Sequence, residues 1–467
     1  MLIPFLDGAY TGRSPSTAPQ ECVNLFYERG VDSESLVSTP GDTVFNSAYT
    51  GEVRGAVEYA DKAFFVIGNT LYEVDSVGSA VSRGTLNTTT GRVSLAAGLD
   101  STAAASQEIC IVDGTANRYI YDHVAKTLTA YASGGDVVVF FDGYFVWNIP
   151  NTDSFSISTL YDGTTVDSTF NATGDPDNIV SLVAEQRQLF VIGEHTTSAW
   201  YNSGDADSIF ERFQGGYTQT GGSAAASAVR FDNSVVWLSK NERGQAQVVR
   251  LSEGFQPTII STPEVSYQIS RYAKVSDAIG YAYQAEGHEF YVLTFPTAKA
   301  TWAYDASMQK WHRRAHTIDG VFPNRERYNC HVFAFGKHLM GDVSNGNLYE
   351  LDIDSGTANG VRIPRVRTSA IVSDEEKRLR FMSIQLDMEE GVGGDAETSV
   401  YLSYSKDGGH TYSNEIERSM GDIGEYARRV IWRRLGIARN WVFRIRTFSP
   451  NRIIIKGLIG RIYGEPI

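Results

Sequence analysis

The sequence predicts an all-β protein, a β-propeller of about seven blades followed by a C-terminal β-sandwich. Three observations carry this prediction. Residues 53–75, VRGAVEYADKAFFVIGNTLYEVD, hold three strand-like runs joined by two tight turns, and turns that short make hairpins, so the unit is an antiparallel meander. Echoes of the meander recur along the chain. Beyond residue 356 the strands lengthen and alternate regularly, and the charge balance changes sign.

Taken in order, residues 1–50 read as a loop-rich arm with short strands near Val23 to Tyr27 and Val44 to Asn46. Ser38-Thr39-Pro40-Gly41 is a turn, because proline fixes φ and glycine accepts φ > 0. In the template, Asp61-Lys62 and Gly68-Asn69 are the expected turns, and Phe64 to Ile67 reads as a strand buried on both faces. A meander of three or four strands cannot bury both faces alone. It needs copies to stack on, and these begin near Val93, Asp136, Ile179, Ala225, Asp277 and His331. Phe190-Val191-Ile192-Gly193 repeats Phe65-Val66-Ile67-Gly68, and the run Gly346 to Asp352 repeats Gly68 to Asp75. From Val53 onward the starts are 40, 43, 43, 46, 52 and 54 residues apart. A period of about 40 to 50 residues per four-stranded unit marks a propeller; a β-sandwich with similar hairpins is the alternative. Between the fifth and sixth copies a short helix is expected, capped by Thr262 with Pro263 in its first turn and Val265, Ile269 and Tyr272 on one face. The propeller is thus expected over 51–355 and the sandwich over 356–467. In the latter, Val400, Leu402 and Tyr404 line one face cleanly, and Phe381, Ile384, Leu386 and Met388 do so approximately.

Composition narrows the class. The chain is 42% hydrophobic and 12% aromatic, with 44 glycines. No apolar run approaches the roughly 20 residues of a membrane helix, and the start, MLIPFLDGAY, does not read as a signal peptide. Cys22, Cys110 and Cys330 are too scattered for a disulfide framework or a zinc pattern and read as buried hydrophobes folded in a reducing cytosol. The net charge of −14 is uneven: residues 361–467 carry 18 basic and 14 acidic side chains, and the rest 23 and 41. An acidic body repels phosphate and suits a surface that DNA passes without sticking.

Motifs for chemistry are sparse. Ser405 to Tyr412, SKDGGHTY, matches the aspartate box of sialidase-like propellers, where it forms a hairpin turn and not a catalytic site. His312 and His316 lie four apart without helical context, and His331 and His338 straddle a hairpin, so neither pair reads as a zinc site. The aspartates in 162–168 and 352–356 lack EF-hand spacing and read as solvated turns. No nucleotide-binding, zincin or nucleophile-elbow motif occurs, and no cofactor or catalytic residue is expected. The strongest charge feature runs from Arg428 to Arg461. Its Arg428, Arg429, Trp432, Arg433, Arg434, Arg439, Trp441, Arg444 and Arg446 have the arginine-plus-aromatic composition of a protein interface. A solvated sheet face and a nucleic-acid grip are the other readings.

Several of these pieces, in this order, resemble the tail hub proteins of short-tailed bacteriophages, known as packaged-DNA stabilisation proteins, tail accessory factors or nozzles. The resemblance runs nearly end to end. It comprises Val23-Asn24-Leu25, Ser38 to Gly41, Arg54-Gly55, Glu58-Tyr59, Leu71-Tyr72, Gly91-Arg92-Val93-Ser94, Leu402-Ser403, Ser405 to Gly408, and Val430 to Gly436 with Arg439. It implies a virion protein made in the bacterial cytoplasm, added after packaging, six copies forming a ring below the portal and its adaptor ring. That ring would narrow the exit for double-stranded DNA, help retain the genome, and carry tailspikes or fibres and a needle or plug. It implies no catalytic residues and no membrane anchor. The alternative, from the aspartate box and aromatic loops, is a glycan-binding or glycan-hydrolysing propeller, which needs paired carboxylates or Arg plus Tyr converging at one end of the channel.

Overall fold

In the computed structural model the described residues are all but 7, 9–11, 15–17, 31–33, 100–106, 173–176, 241–243, 253–254, 376, 390, 392–397, 423, 427 and 466–467. The chain divides into two compact units, Val44–Ala298 with Arg327–Glu350, and Met1–Thr43 with Lys299–Glu326 and Leu351–Ile467. The expected cuts at 50/51 and 355/356 therefore do not coincide with the contact boundaries. Residues 1–43 and 299–326 join the unit of the C-terminal domain.

The first unit is a closed propeller. Seven successive sheets begin with the strands Val53–Tyr59, Ser94–Ala97, Val138–Phe141, Ile179–Glu185, Val229–Phe231, Ile279–Ala285 and Tyr328–Ala334. Each of these innermost strands packs beside the next, and the seventh packs against the first. The first five sheets are complete four-stranded meanders. The sixth contributes the hairpin Ile279–Ala285 and His288–Phe295 to this unit. The seventh takes its outermost strand, Gly41–Asn46, from the N-terminal arm. Six of the seven innermost hairpins share one device, a two-residue loop with both φ angles positive: Ala60-Asp61, Asp142-Gly143, Gln186-Arg187, Asp232-Asn233, Glu286-Gly287 and Phe335-Gly336. That backbone matches the right-handed twist of the flanking strands. The template's first turn is thus Ala60-Asp61, one residue earlier than expected, and Lys62 already pairs with Tyr59.

The apolar run Phe64 to Ile67 is buried on both faces because alternate side chains enter different inter-blade layers. Phe65 and Ile67 pack with Val332, Leu339 and Leu348 of the seventh sheet. Phe64, Val66 and Leu71 pack with Ile109, Ile111 and Tyr121 of the second. The helix forms as expected over Pro263–Ser270, with Thr262 Oγ1 accepting the Val265 N–H and with Val265 and Ile269 buried. All three cysteines are buried, and burial pushes the Cys22, Cys110 and Cys330 thiols up to about 11, 12 and 11.

The second unit is built on the C-terminal sandwich. One sheet orders Leu25–Arg29, Glu34–Ser38, Ile454–Glu465, Arg378–Met388 and Val430–Ala438. The other runs from Lys310–Arg314 through Glu21–Val23, Arg365–Thr368, Val442–Thr447 and Ser399–Ser405 to Ile416–Ser419. The arm therefore contributes strands to both sheets. Phe381 and Ile384 share the core face despite their odd spacing because a bulge shifts the register between Phe381 and Ser383.

Candidate functional site

The arginine-rich stretch separates into two surfaces and a core. Trp432 and Trp441 are 0% exposed. Their indole N–H groups donate to Ile416 O at 2.8 Å and Leu379 O at 3.0 Å, and both belong to the sandwich core with Phe381, Phe443 and Ile445. They are not surface anchors, so any interface role on this stretch falls to the arginines. The reason is parity: Trp441, Phe443 and Ile445 alternate with the more exposed Arg444 and Arg446 along one strand.

Arg444 and Arg446 lie on the sheet of Val442–Thr447 and already have partners. Arg444 sits 3.8 Å over the Tyr412 ring and 3.9 Å from Glu21, while Arg446 pairs with Glu415 at 2.5 Å. Arg428 pairs with Glu425 at 3.2 Å. Arg434, at φ +63°, is exposed within the strand Val430–Ala438, where the register with Arg378–Met388 shifts, and Arg439 is exposed just beyond its end. On the outer face of the other sheet the picture differs. Arg433 and Arg461 flank Ser383 from either side, as Ile431 and Ile459 flank Gln385. With Arg429 and Met1 they line a groove of about 560 Å³. Among the described residues Arg429, Arg433 and Arg461 form no ion pair; Ile459 and Tyr463 are exposed on the strand of Arg461, and the exposed Leu2 bridges Ile459. Arg461 sat at the end of the basic run, but only strand register brings it beside Arg433.

The aspartate box is a turn stapled by its own side chains. Asp407 Oδ1 accepts the Ser405 hydroxyl at 2.6 Å and the His410 and Thr411 N–H groups at 3.0 Å, and Oδ2 accepts the Thr411 hydroxyl. These bonds hold its carboxyl well below the usual carboxylate range. A depressed folded-state pKa adds stability above the unfolded pKa of about 3.9 and loses it as pH falls toward the folded value. Asp407→Asn is therefore expected to lower Tm at neutral pH, with the gap closing below about pH 4; a gap independent of pH in calorimetry would show that the charge is not what holds the turn.

The histidines are structural in their contacts. His312 and His316 are buried. His331 and His338 touch at 3.0 Å between ring nitrogens, and burial pushes His331 down to about 3. Among the described residues no group of three or more His, Cys, Asp or Glu is arranged to hold a metal ion. Asp162 and Asp352 accept backbone N–H groups two residues on, the Asx-turn geometry.

At one end of the propeller channel a cavity of about 610 Å³ is lined by Glu52, Arg92, Asp136, Lys274 and Asp277 among small residues. Its carboxylates share the space with two cations, and Arg92 donates to Asn329 O at 2.7 Å.

Two buried arginines hold the blades, Arg54, which carries part of the family resemblance, and Arg118, which no motif marks. Arg54, 1% exposed, donates to Gly68 O, Thr88 O, Thr88 Oγ1, Thr90 O and Gly91 O at 2.6–2.9 Å. Arg118 reaches from the second sheet to Gly163 O and Thr164 O of the third and stacks 4.7 Å over Trp147.

Comparison with known proteins adds the family. The family model described as "Bacteriophage P22 Gp10, beta-propeller" matches residues 1–356, and that described as "Bacteriophage P22 Gp10, beta-sandwich" matches 364–462. No curated protein matches in sequence. Among solved structures, PorZ of Porphyromonas gingivalis aligns at 11% identity and TM-score 0.39, over 66% of this chain and 37% of its own. The extracellular domain of BT4673 from B. thetaiotaomicron aligns at 10% and 0.45, over 83% and 48%. The N-terminal domain of Nup159 aligns at 10% and 0.43, over 70% and 98%. This chain thus spans less than half the length of the first two.

Proposed function

We propose, on the premise that this chain belongs to the bacteriophage P22 Gp10 family, that it is one subunit of the hub, or nozzle, ring of a phage tail. The family is one of structural tail proteins, which associate with other tail components in the virion. The observation that carries the reading is the match of both domains, in order, over almost the whole chain. In this reading about six copies sit below the portal and adaptor ring, retain the packaged genome, form its exit channel, and dock tailspikes, fibres or a needle. Among the described residues no helix is long and apolar enough to cross a membrane.

Charge supports the division of labour. The propeller unit, Val44–Ala298 with Arg327–Glu350, has 30 acidic and 16 basic residues, so it carries the whole −14 of the chain. Such a surface gains nothing from counterion release and lets duplex DNA slide past. The other unit balances to zero overall, yet it concentrates arginines without ion pairs on one sheet face. Arginine beside exposed apolar side chains is the composition of interface hot spots. The candidate partner surface is therefore the groove of Arg429, Arg433 and Arg461, extended along the chain by Arg428, Arg434 and Arg439, with the paired Arg444 and Arg446 on the other sheet.

Two measurements test this. Mass spectrometry of purified virions should find the chain at a few copies per particle, and its absence from particles would overturn the assignment. The triple variant Arg429→Glu/Arg433→Glu/Arg461→Glu should fold with wild-type Tm, since exposed charges contribute little to stability. It should enter tails at least tenfold less efficiently. Wild-type incorporation would remove the groove from the interface while leaving the family role intact.

A further inference from the structure

Arg365 and Arg367 lie two apart on the strand Arg365–Thr368, so both side chains leave the same face. Their cross-strand neighbours on Val442–Thr447 are Thr447 and Ile445, and Ile445 is in the sandwich core. Both guanidinium groups therefore enter the layer between the two sheets, where they are 1% and 0% exposed. Their surroundings differ. Arg367 donates to Phe5 O at 2.5 Å and to Gly8 O, and faces the Phe5 and Tyr27 rings. Arg365 uses only Nη1, which donates to Ser449 O at 2.7 Å.

The other donors of Arg365, Nε and Nη2, are buried without a partner. These two N–H groups form one edge of the guanidinium, the parallel fork that grips a single acceptor side-on. Nearby, Asn451 donates its backbone N–H to Ser449 Oγ at 3.2 Å, while its Nδ2 is another buried donor without a partner. Arg365 and Asn451 are thus both tied to Ser449, and both hold spare donors in the interior. Burial lowers Arg365 only to about 10, so it stays cationic at neutral pH. Among the described residues no carboxylate pairs with it. A buried cation lacking a counter-charge is among the costliest arrangements in a protein interior, and water supplies dipoles but no charge.

We propose that the sandwich interior binds one small monovalent anion, of halide size, on the Nε/Nη2 edge of Arg365, with Asn451 Nδ2 as a further donor. At 1% exposure the site favours a small ion over phosphate or a carboxylate reaching in from a partner. The anion would neutralise one of two cations in the layer and tie the strand Arg365–Thr368 to the segment 449–451. It rests on no feature of the tail-ring reading.

The test uses the full chain. Crystals soaked in bromide should show an anomalous peak within hydrogen-bonding reach of both Nε and Nη2. In solution, at equal ionic strength, Tm should be higher in sodium chloride than in sodium gluconate. It should rise by about 3 °C per tenfold increase in chloride above the dissociation constant. Arg365→Lys keeps the charge but lacks the fork, and Arg365→Gln lacks the charge; each should lose the chloride dependence. An anomalous map without that peak, or equal Tm in the two salts for the wild type, overturns the proposal. A peak at soak concentration with no Tm difference at physiological ionic strength marks an adventitious ion only and overturns it as well. The diffraction and wild-type Tm arms hold even if neither variant folds.

Discussion

Phe65→Asp is expected to abolish folding of the propeller. The ring is 0% exposed and lies in the layer between the first and seventh sheets, among Val53, Ile67, Val332 and Leu339. Truncating a buried phenylalanine costs about 3–5 kcal/mol through lost transfer energy and the cavity left behind. A carboxylate in the same place adds several kcal/mol, or takes up a proton and leaves a polar group with no partner. Together these approach the entire stability of a domain, about 5–15 kcal/mol. Because the layer closes the ring, its loss should reach every blade. Circular dichroism and soluble yield report the outcome. Val81→Asp in the same sheet, at a position 51% exposed, should change stability by no more than about 0.5 kcal/mol. Normal folding of Phe65→Asp would mean that this layer is not what holds the scaffold together.

The second large effect is expected at Arg54. Its five hydrogen bonds fasten the Gly68 turn and residues 88–91, which lead from the first sheet to the second, to the innermost strand Val53–Tyr59. Arg54→Met conserves length but leaves four backbone carbonyls without a donor. Hydrogen bonds to charged groups contribute about 1.5–3 kcal/mol each before non-additivity, and breaking a buried charged network costs about 3–5 kcal/mol in all. Chemical denaturation should show a loss in that range. Hydrogen exchange should quicken first over 86–93. Arg54→Lys should recover only part, because a single ammonium cannot reach carbonyls spread around a planar fork. If Arg54→Met unfolds within about 1 kcal/mol of the wild type, solvent has replaced the clamp and Arg54 is not a blade fastener.

Much of the scaffold was legible before any coordinates. The starts expected at Val53, Val93, Asp136, Ile179, Ala225, Asp277 and His331 lie within four residues of the innermost strands that open each sheet. This worked because a propeller blade is a local object: its strands are consecutive and its tight turns need particular backbone angles. The expected aspartate-box turn and capped helix are local for the same reason. Composition alone places Trp432 and Trp441 with the arginines, whereas alternation puts Trp441 with Phe443 and Ile445 in the core.

The chain by itself thus determined an all-β body, the rhythm of its blades and their number to about seven, the change to a sandwich, and a family resemblance that the family matches bear out. Only the tertiary structure decided how the arm is used, with Gly41–Asn46 finishing the seventh sheet and Glu21–Val23, Leu25–Arg29 and Glu34–Ser38 entering the sandwich. It alone decided which arginines are clamps, which are paired and which face outward. The physical reason is the range of the interactions. Periodicity and turn preference act over a few residues and are written along the chain. A buried guanidinium is satisfied by carbonyls up to 362 residues away, as Arg367 is by Phe5, and no local pattern records that partner.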